Sequence, residues 1–368
     1  MGSARQTDEG HGRNLSRRSF VAGAAALGAA AFAGGALAGC AGSEEPAPEA
    51  GSDGAGQAAS TAPAPAESPS ESEDARAEAA GDAVPVYFTA DVSAAGLVRA
   101  WEALGVEPAA AQAVKLSTGE PGGHNYLQPD LIADLVHRVG GTIVECNTAY
   151  GGQRGTTESH LRAAADHGFT AIADVDIMDA EGSMSLPVQG GSHLTEDLVG
   201  AHLANYDAVL SLAHFKGHAM AGFGGAIKNC SIGIASREGK MLIHSAGAST
   251  SSWGSPAQDD FLESMAEAAK AVADRLGSGI CYVNVMNRLS VDCDCDANSA
   301  EPQMADIGIL ASLDPVALDR ACVDFVYAAP DGQALIERME SRNGAHTLDH
   351  AEAIGLGSQR YELIDLDA

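Results

Sequence analysis

The chain has 368 residues, with 21 Lys and Arg against 50 Asp and Glu, a formal net charge of -29. A surface that acidic repels nucleic-acid phosphates and anionic lipid head groups, which excludes nucleic acid as a partner and purely electrostatic adhesion to a membrane. Hydrophobic residues make up 45 % and aromatics only 5 %, a balance that suits an aliphatic-rich α/β protein.

Ser16-Arg17-Arg18-Ser19-Phe20-Val21 precedes an Ala/Gly-rich apolar run that ends in Leu37-Ala38-Gly39-Cys40. An arginine pair, a modest apolar stretch and a lipobox-like end, in that order, predict that residues 1–40 are a Tat/lipoprotein signal peptide. On this reading Arg17 and Arg18 address the Tat translocase. Lipoprotein-processing enzymes then lipidate Cys40, anchoring an exported protein to the outer face of the cytoplasmic membrane. The bland alternative is a transmembrane anchor with a chance cysteine. The Tat route carries folded proteins, which suits a metal or cofactor inserted before export. Residues 41–82 are rich in Ala, Pro, Glu, Ser and Gly, with Arg76 the only basic residue. Such a segment buries too little apolar surface to offset its ordering entropy and is expected to be a disordered acidic tether. No later apolar run is long enough to span a bilayer.

Residues 83–368 suffice for one large or two small α/β domains, with a sub-boundary near 250. Val84–Thr89 reads as a strand. Ser93 caps a helix to about Leu104 that Gly105 stops. Ala113–Leu116 is a strand, and Pro129 opens a helix through Val139. Thr142–Cys146 is a strand, Thr157–His167 a helix closed by Gly168, and Ala171–Val175 a strand. Leu194–Ala204 reads as helical and Ala208–Leu212 as a buried strand. Further on, Asp259–Leu276 is an amphipathic helix, Ile280–Met286 and Asp306–Ala311 are strands, Pro315–Tyr327 is a helix, and Tyr361–Asp365 closes the chain as a strand. The β-α-β-α order predicts an α/β fold, a mainly parallel sheet covered by helices with a second, smaller α/β part. Functional loops of such folds lie at the carboxyl ends of the strands.

The densest chemical constellation follows Ala208–Leu212: His214-Phe215-Lys216-Gly217-His218, then Gly222-Phe223-Gly224-Gly225, then Lys228-Asn229, Gly233, Arg237, Lys240 and His244. Glycines admit positive φ and close approach of a ligand to the backbone, and imidazoles and ammonium groups serve as bases, metal ligands or anion contacts. Taken singly, each has an ordinary structural explanation; together, after a buried strand, they predict a pocket. Lys115 with Thr118–His124, and Arg154 with His160, are weaker candidates for the same pocket. Ser312 and Asp314-Pro315 read as a helix cap.

HFKGHAMAGFGGAIKN, SIGIASREGK with His244, Val291-Asp292-Cys293-Asp294-Cys295, Asp306-Ile307-Gly308 and Gly355-Leu356-Gly357 resemble the signature of domain-of-unknown-function family 362 over essentially the whole body. Many members are described as iron–sulfur proteins. Their ferredoxin-like cysteine run has no counterpart here, since Ser245–Ser255 contains no cysteine, so a ferredoxin-type cluster is not expected. A more distant resemblance is to nickel-pincer enzymes of the lactate racemase type. That resemblance implies His218 as acid/base, Lys228 as cofactor tether in the loop of Gly222, Gly224, Gly225 and Asn229, and His244 as metal ligand; Lys216 and Arg154, with Lys228 and Lys115, are expected to make the catalytic pocket locally positive for a small anion. Gln153 stands where that family's other catalytic histidine would be, so altered chemistry on a shared fold is implied rather than racemisation.

Cys146, Cys230, Cys281 and Cys322 lie in apolar stretches and read as core. Cys293 and Cys295, one residue apart, can converge on a metal, as can His214; a solvent-exposed acidic turn is the alternative. Neighbouring Asp292, Asp294 and Asp296 are expected to raise the thiol pKa values. Three functions follow: a metal- or cofactor-dependent enzyme acting on a small organic anion, its metal nickel-pincer-like, zinc or iron; a metal or iron–sulfur electron-transfer lipoprotein; or a solute-binding lipoprotein without chemistry.

Overall fold

The computed structural model describes residues 83–368. Arg17, Arg18, Cys40, the signal peptide at 1–40 and the tether at 41–82 lie outside the described residues.

The body is built on one eight-stranded sheet. Its strands are β1 (Val84–Thr89), β2 (Gln112–Lys115), β3 (Thr142–Glu145), β4 (Val175–Ile177), β7 (Ala208–His214), β10 (Ile280–Met286), β11 (Gly308–Ser312) and β12 (Tyr361–Asp365), in the order β12-β1-β11-β10-β7-β2-β3-β4. Every neighbouring pair is parallel except those made by β11, which runs against both β1 and β10. Strands from both sides of residue 250 pair directly, since β7 lies against β10 with Leu212 opposite Val283.

The sheet is buried on both faces, so its central strands read as continuous apolar runs. Along β10, Ile280, Tyr282 and Met286 face one core, and Cys281, Val283 and Val285 face the other. The second core is closed by α1 (Ala94–Glu102) and α2 (Pro129–Val139), through Leu97, Trp101, Leu135 and Val136. The first is closed by α4 (Ala226–Cys230), α6 (Gln258–Leu276) and α7 (Pro315–Ala328), through Ile227, Val272 and Leu318. Each fully buried aliphatic side chain contributes roughly 1.5–3 kcal/mol, and the alternation in β10 makes a one-residue slip of register prohibitive.

Local signals set the helix ends. Ser93 accepts a hydrogen bond from Gly96 N, and Pro129 opens α2, which Gly140 ends at φ 59°. Asp314 caps α7 by accepting from Val316 N and Ala317 N.

Two expectations are corrected. Ala171–Val175 is not a strand: after Gly168 at φ 89° the chain makes a 3-10 turn over Phe169–Ala171 that buries Phe169, and β4 begins only at Val175. Leu194–Ala204 is not a helix: Glu196–Gly200 is strand β6, paired antiparallel with β5 (Ser183–Pro187), followed by a 3-10 turn at Ala201–Asn205. Asp197 and Val199 are buried while Glu196 is exposed, a period-two pattern that tertiary pairing exploited over helix propensity. The Gly-rich stretch after β7 is a hairpin, β8 (Lys216–His218) with β9 (Gly222–Gly224), returning at Gly222 with φ 80°. Four further helices complete the body: α3 (Thr157–Asp166), α5 (Arg237–His244), α8 (Gln333–Ser341) and α9 (His346–Ala353).

Candidate functional site

Lys115, Glu145 and His214 are the last residues of β2, β3 and β7, so three parallel strands deliver side chains to one edge of the sheet. A cavity of about 400 Å³ opens there, lined also by the β8–β9 hairpin, α4, α5 and the loop after β10.

Helix α4 is fixed by a carboxylate from α7. Asp319 accepts from Ala226 N at 2.8 Å and Ile227 N at 3.0 Å, although burial pushes its pKa up to about 6. Gly225 makes room for it, since a Cβ there would lie 2.3 Å from Asp319 Oδ1. Asn229 is consumed by the scaffold: Nδ2 donates to Lys115 O and Ser211 Oγ, both at 2.9 Å, and Oδ1 accepts from Lys115 Nζ at 3.2 Å. Lys228 faces the cavity, and its Nζ has no hydrogen-bond or ion-pair partner among the described residues. Gly224 lets its stem lie close, because a Cβ would sit 3.2 Å from Lys228 Cδ.

Cys293 and Cys295 reach the same cavity from the far side. Their segment is a β-turn closed by Asp296 N donating to Cys293 O at 2.9 Å. Asp294 points away from the sulfurs, with Oδ1 2.9 Å from His214 Nδ1 and Oδ2 3.0 Å from Lys216 Nζ. The Lys216 contact is an ion pair rather than an aligned hydrogen bond, for Oδ2 has no hydrogen-bond partner. His214 Nε2 faces Asn287 O at 2.7 Å, so both its ring nitrogens meet protein acceptors and neither is presented to a metal. Lys216 is likewise committed: burial would lower its pKa, but Asp294 and the thiols outweigh that and raise it. Both residues therefore hold the cysteine turn in place.

The two thiols are not both raised, as the neighbouring aspartates led one to expect, because other groups dominate at Cys293. A hydrogen bond from Cys295 holds Cys293 well below the ordinary thiol value against the cost of burial, helped by the Lys228 and Lys216 ammonium groups, and Cys295 is raised in return. Cys293 is thereby the more acidic of the two thiols. Asp294 contacts His214 and Lys216, and Asp292 is paired with Arg338 at 3.3 Å.

The sulfurs and one ring nitrogen of His218 lie within 4.8 Å of one another, a spacing one metal ion can bridge. The His218 tautomer narrows this. Nδ1 accepts from Met220 N at 3.2 Å and Ala221 N at 3.0 Å, so the proton of the neutral ring sits on Nε2. Burial and the Lys228 charge lower its pKa and keep it neutral. Metal ligation through Nε2 would require breaking those two backbone contacts. The donor set thus divides into two soft thiol ligands, which fit zinc, iron or nickel, and an imidazole that carries a proton beside them.

His244 has the opposite tautomer: Nδ1 donates to Lys240 O at 2.7 Å, leaving the lone pair on Nε2. Burial lowers its pKa to about 3, and the ring stacks on Phe261 at 4.9 Å and meets the Trp253 edge at 4.4 Å. Arg154 is buried and fully engaged, with Nε 3.1 Å from Glu120 Oε2, Nη1 3.3 Å from Glu145 Oε1 and Nη2 3.0 Å from Tyr150 Oη. Burial disfavours the Glu145 carboxylate, but Arg154 and His160 outweigh it and hold its pKa well below the usual range. Arg154 braces the wall rather than offering a free guanidinium. Gln153 is exposed and lines a neighbouring shallow depression.

Cys146, Cys230, Cys281 and Cys322 are buried in the cores, as expected. Asp319 and Glu145 escaped the sequence reading. The available signal for Asp319 was a lone carboxylate on the apolar face of α7, between Leu318 and Ala321.

Among solved structures the chain is similar to the lactate racemase apoprotein from Thermoanaerobacterium thermosaccharolyticum, at 14 % identity over 67 % of this chain and 57 % of that one, with a TM-score of 0.39. It is also similar to a protein from Thermotoga maritima, at 13 % identity over 71 % of this chain and 58 % of that one, with a TM-score of 0.36. The chain therefore spans less than two thirds of the length of either. No curated protein matches it. The family described as Domain of unknown function (DUF362) matches residues 113–324, more than half of the chain and the whole of the cavity wall from β2 to α7, and this protein belongs to that family.

Proposed function

We propose that this protein is a metal-dependent enzyme that moves a proton on a small organic anion. The observation that carries this reading is the convergence of two thiols, a proton-bearing neutral imidazole and an unpartnered ammonium group on one cavity at the carboxyl ends of parallel strands. Cys293 and Cys295 would hold a transition metal, which when bound supplies Lewis-acid polarisation of a substrate oxygen. Lys228 attracts and orients the anion, locally reversing the repulsion of a chain whose net charge is -29. His218, kept uncharged at neutral pH by its lowered pKa, presents an N–H at Nε2 that would hydrogen-bond a substrate oxygen, and it can take up a proton there only after its own has shifted to Nδ1.

The test is elemental analysis and intact mass of the protein purified from its own host, with Cys293→Ser, Cys295→Ser and Lys228→Ala beside it. Stoichiometric metal that both cysteine variants lose is the expected result. Added mass on Lys228 would identify a tethered cofactor. Iron that cycles redox states without turnover would favour electron transfer, and absence of both metal and added mass would favour a solute-binding protein. We propose further that the protein is exported by the Tat route and anchored through Cys40. Among the described residues no helix is long and apolar enough to cross a membrane. Membrane release of Cys40→Ala, with loss of a lipid-sized mass, tests this.

A further inference from the structure

The floor of the cavity carries two cations that the proton-transfer reading leaves unused. Lys115, from β2, is 1 % exposed, and Lys240, from α5, is 7 % exposed. Both line the cavity, and neither has a carboxylate within ion-pair distance among the described residues. Lys115 Nζ donates only to neutral oxygens, Leu116 O at 2.5 Å and Asn229 Oδ1 at 3.2 Å, and Lys240 Nζ donates only to Ala235 O. Each ammonium group therefore keeps at least one proton without an acceptor.

The surrounding backbone is shaped around this arrangement. A Cβ on Gly233 would come within 2.8 Å of Lys115 Cε and 2.9 Å of its Nζ, so the glycine leaves the ammonium group its space. The two lysines repel each other, and burial lowers the pKa of both, Lys115 to about 8. The buried carboxyl of Asp197 feels the Lys240 charge but forms no ion pair with it, and burial pushes its pKa up to about 7, so it offsets the lysine only in part. Glu145 is spent on Arg154, Thr118 and His160, and Asp179 on the N–H groups of Asn147 and Arg237. Cys146 and Cys230 also face Lys115, but burial pushes both thiols up to about 12, so they are neutral. Two buried, mutually repelling ammonium groups on a cavity wall are costly in the absence of a ligand and become favourable once an oxyanion joins them.

We propose that Lys115 and Lys240 form a receptor for a terminal oxyanion, so that the molecule bound in this cavity is a dianion whose second charged group, a carboxylate or a phosphate, reaches the floor while its reacting end lies beside Cys293 and His218. The inference rests on the reading of the cavity as a small-anion site and narrows its substrate class.

Calorimetric titration of the full chain with succinate, glutarate, butyrate and 3-phosphonopropionate tests it, in the parent and in Lys115→Met, Lys240→Met and Lys228→Met, each checked for folding by circular dichroism. The expected result is that one dianion binds at least tenfold more tightly than butyrate, a preference that Lys115→Met and Lys240→Met abolish. Succinate or glutarate as that ligand identifies the floor group as a carboxylate, and 3-phosphonopropionate identifies it as a phosphate-like group. Binding near pH 8 should take up protons in the parent, because the anion raises the Lys115 pKa, and this uptake should vanish in Lys115→Met. Butyrate binding that depends on Lys228 without any preference for dianions overturns this inference alone. Failure of every probe to bind overturns both it and the small-anion reading. A dianion preference that survives both floor variants also overturns it, and should one floor variant misfold, the other decides.

Discussion

Replacing Lys115 by methionine should stabilise the ligand-free protein at neutral pH, although it removes a polar group with two hydrogen bonds. The methionine side chain has a similar length and no charge. The folded-state pKa of Lys115 is depressed from 10.5 to about 8. Holding the protonated amine in the core therefore costs roughly 3 kcal/mol below pH 8. Against that gain, Leu116 O and Asn229 Oδ1 lose their donor, at about 1 kcal/mol each. The net expectation at pH 7 is a gain of about 1 kcal/mol, or about 2 °C in Tm for a body of this size. The sign with pH follows from linkage. The folded chain releases the Lys115 proton near pH 8 and the unfolded chain near 10.5, so the parent regains stability as pH rises between those values and loses it as pH falls through 8. The advantage of Lys115→Met should therefore shrink above pH 8 and reverse before pH 10.5. Thermal melts of parent and variant from pH 6.5 to 10, in buffer free of multivalent anions, measure the difference. A variant less stable than the parent at pH 7, or a difference that does not change with pH, would refute the reasoning and make Lys115 a structural residue.

Two other outcomes follow from the same geometry. Iodoacetamide at pH 7 should modify Cys293 well before Cys146 or Cys230, whose thiols are buried and raised to about 12, and added zinc should protect Cys293; mass spectrometry of tryptic peptides reads both, and uniform labelling would contradict the greater acidity of Cys293. Glu145→Gln leaves Arg154 short of one of its two carboxylates in a buried site and should cost about 3 kcal/mol in urea unfolding, whereas a loss below about 1 kcal/mol would show that Glu120 alone suffices.

Much of the body was legible from local chemistry. The apolar run of β7, the Pro129 start and Gly140 stop of α2, and the caps at Ser93 and Asp314 all act within a few residues, where sterics and hydrogen bonding leave few alternatives. The segment from His214 to His244 announced a pocket because imidazoles, lysines and glycines crowd behind a strand buried on both faces. Strand β6 was misread because a short run with two inward residues satisfies either period, and only its pairing with β5 decides.

What the tertiary structure alone decided is how charges meet. His214 and Asp294 are 80 positions apart, and their contact turns the cysteine pair into the same cavity as His218 and Lys228. Whether a carboxylate raises a thiol pKa or is neutralised first, and whether a lysine is paired or left bare on a cavity floor, depends on partners distant in sequence and on local burial. Sequence set which ionisable groups the protein owns; the fold set their protonation, because electrostatic energy in a buried site is a property of neighbours in space.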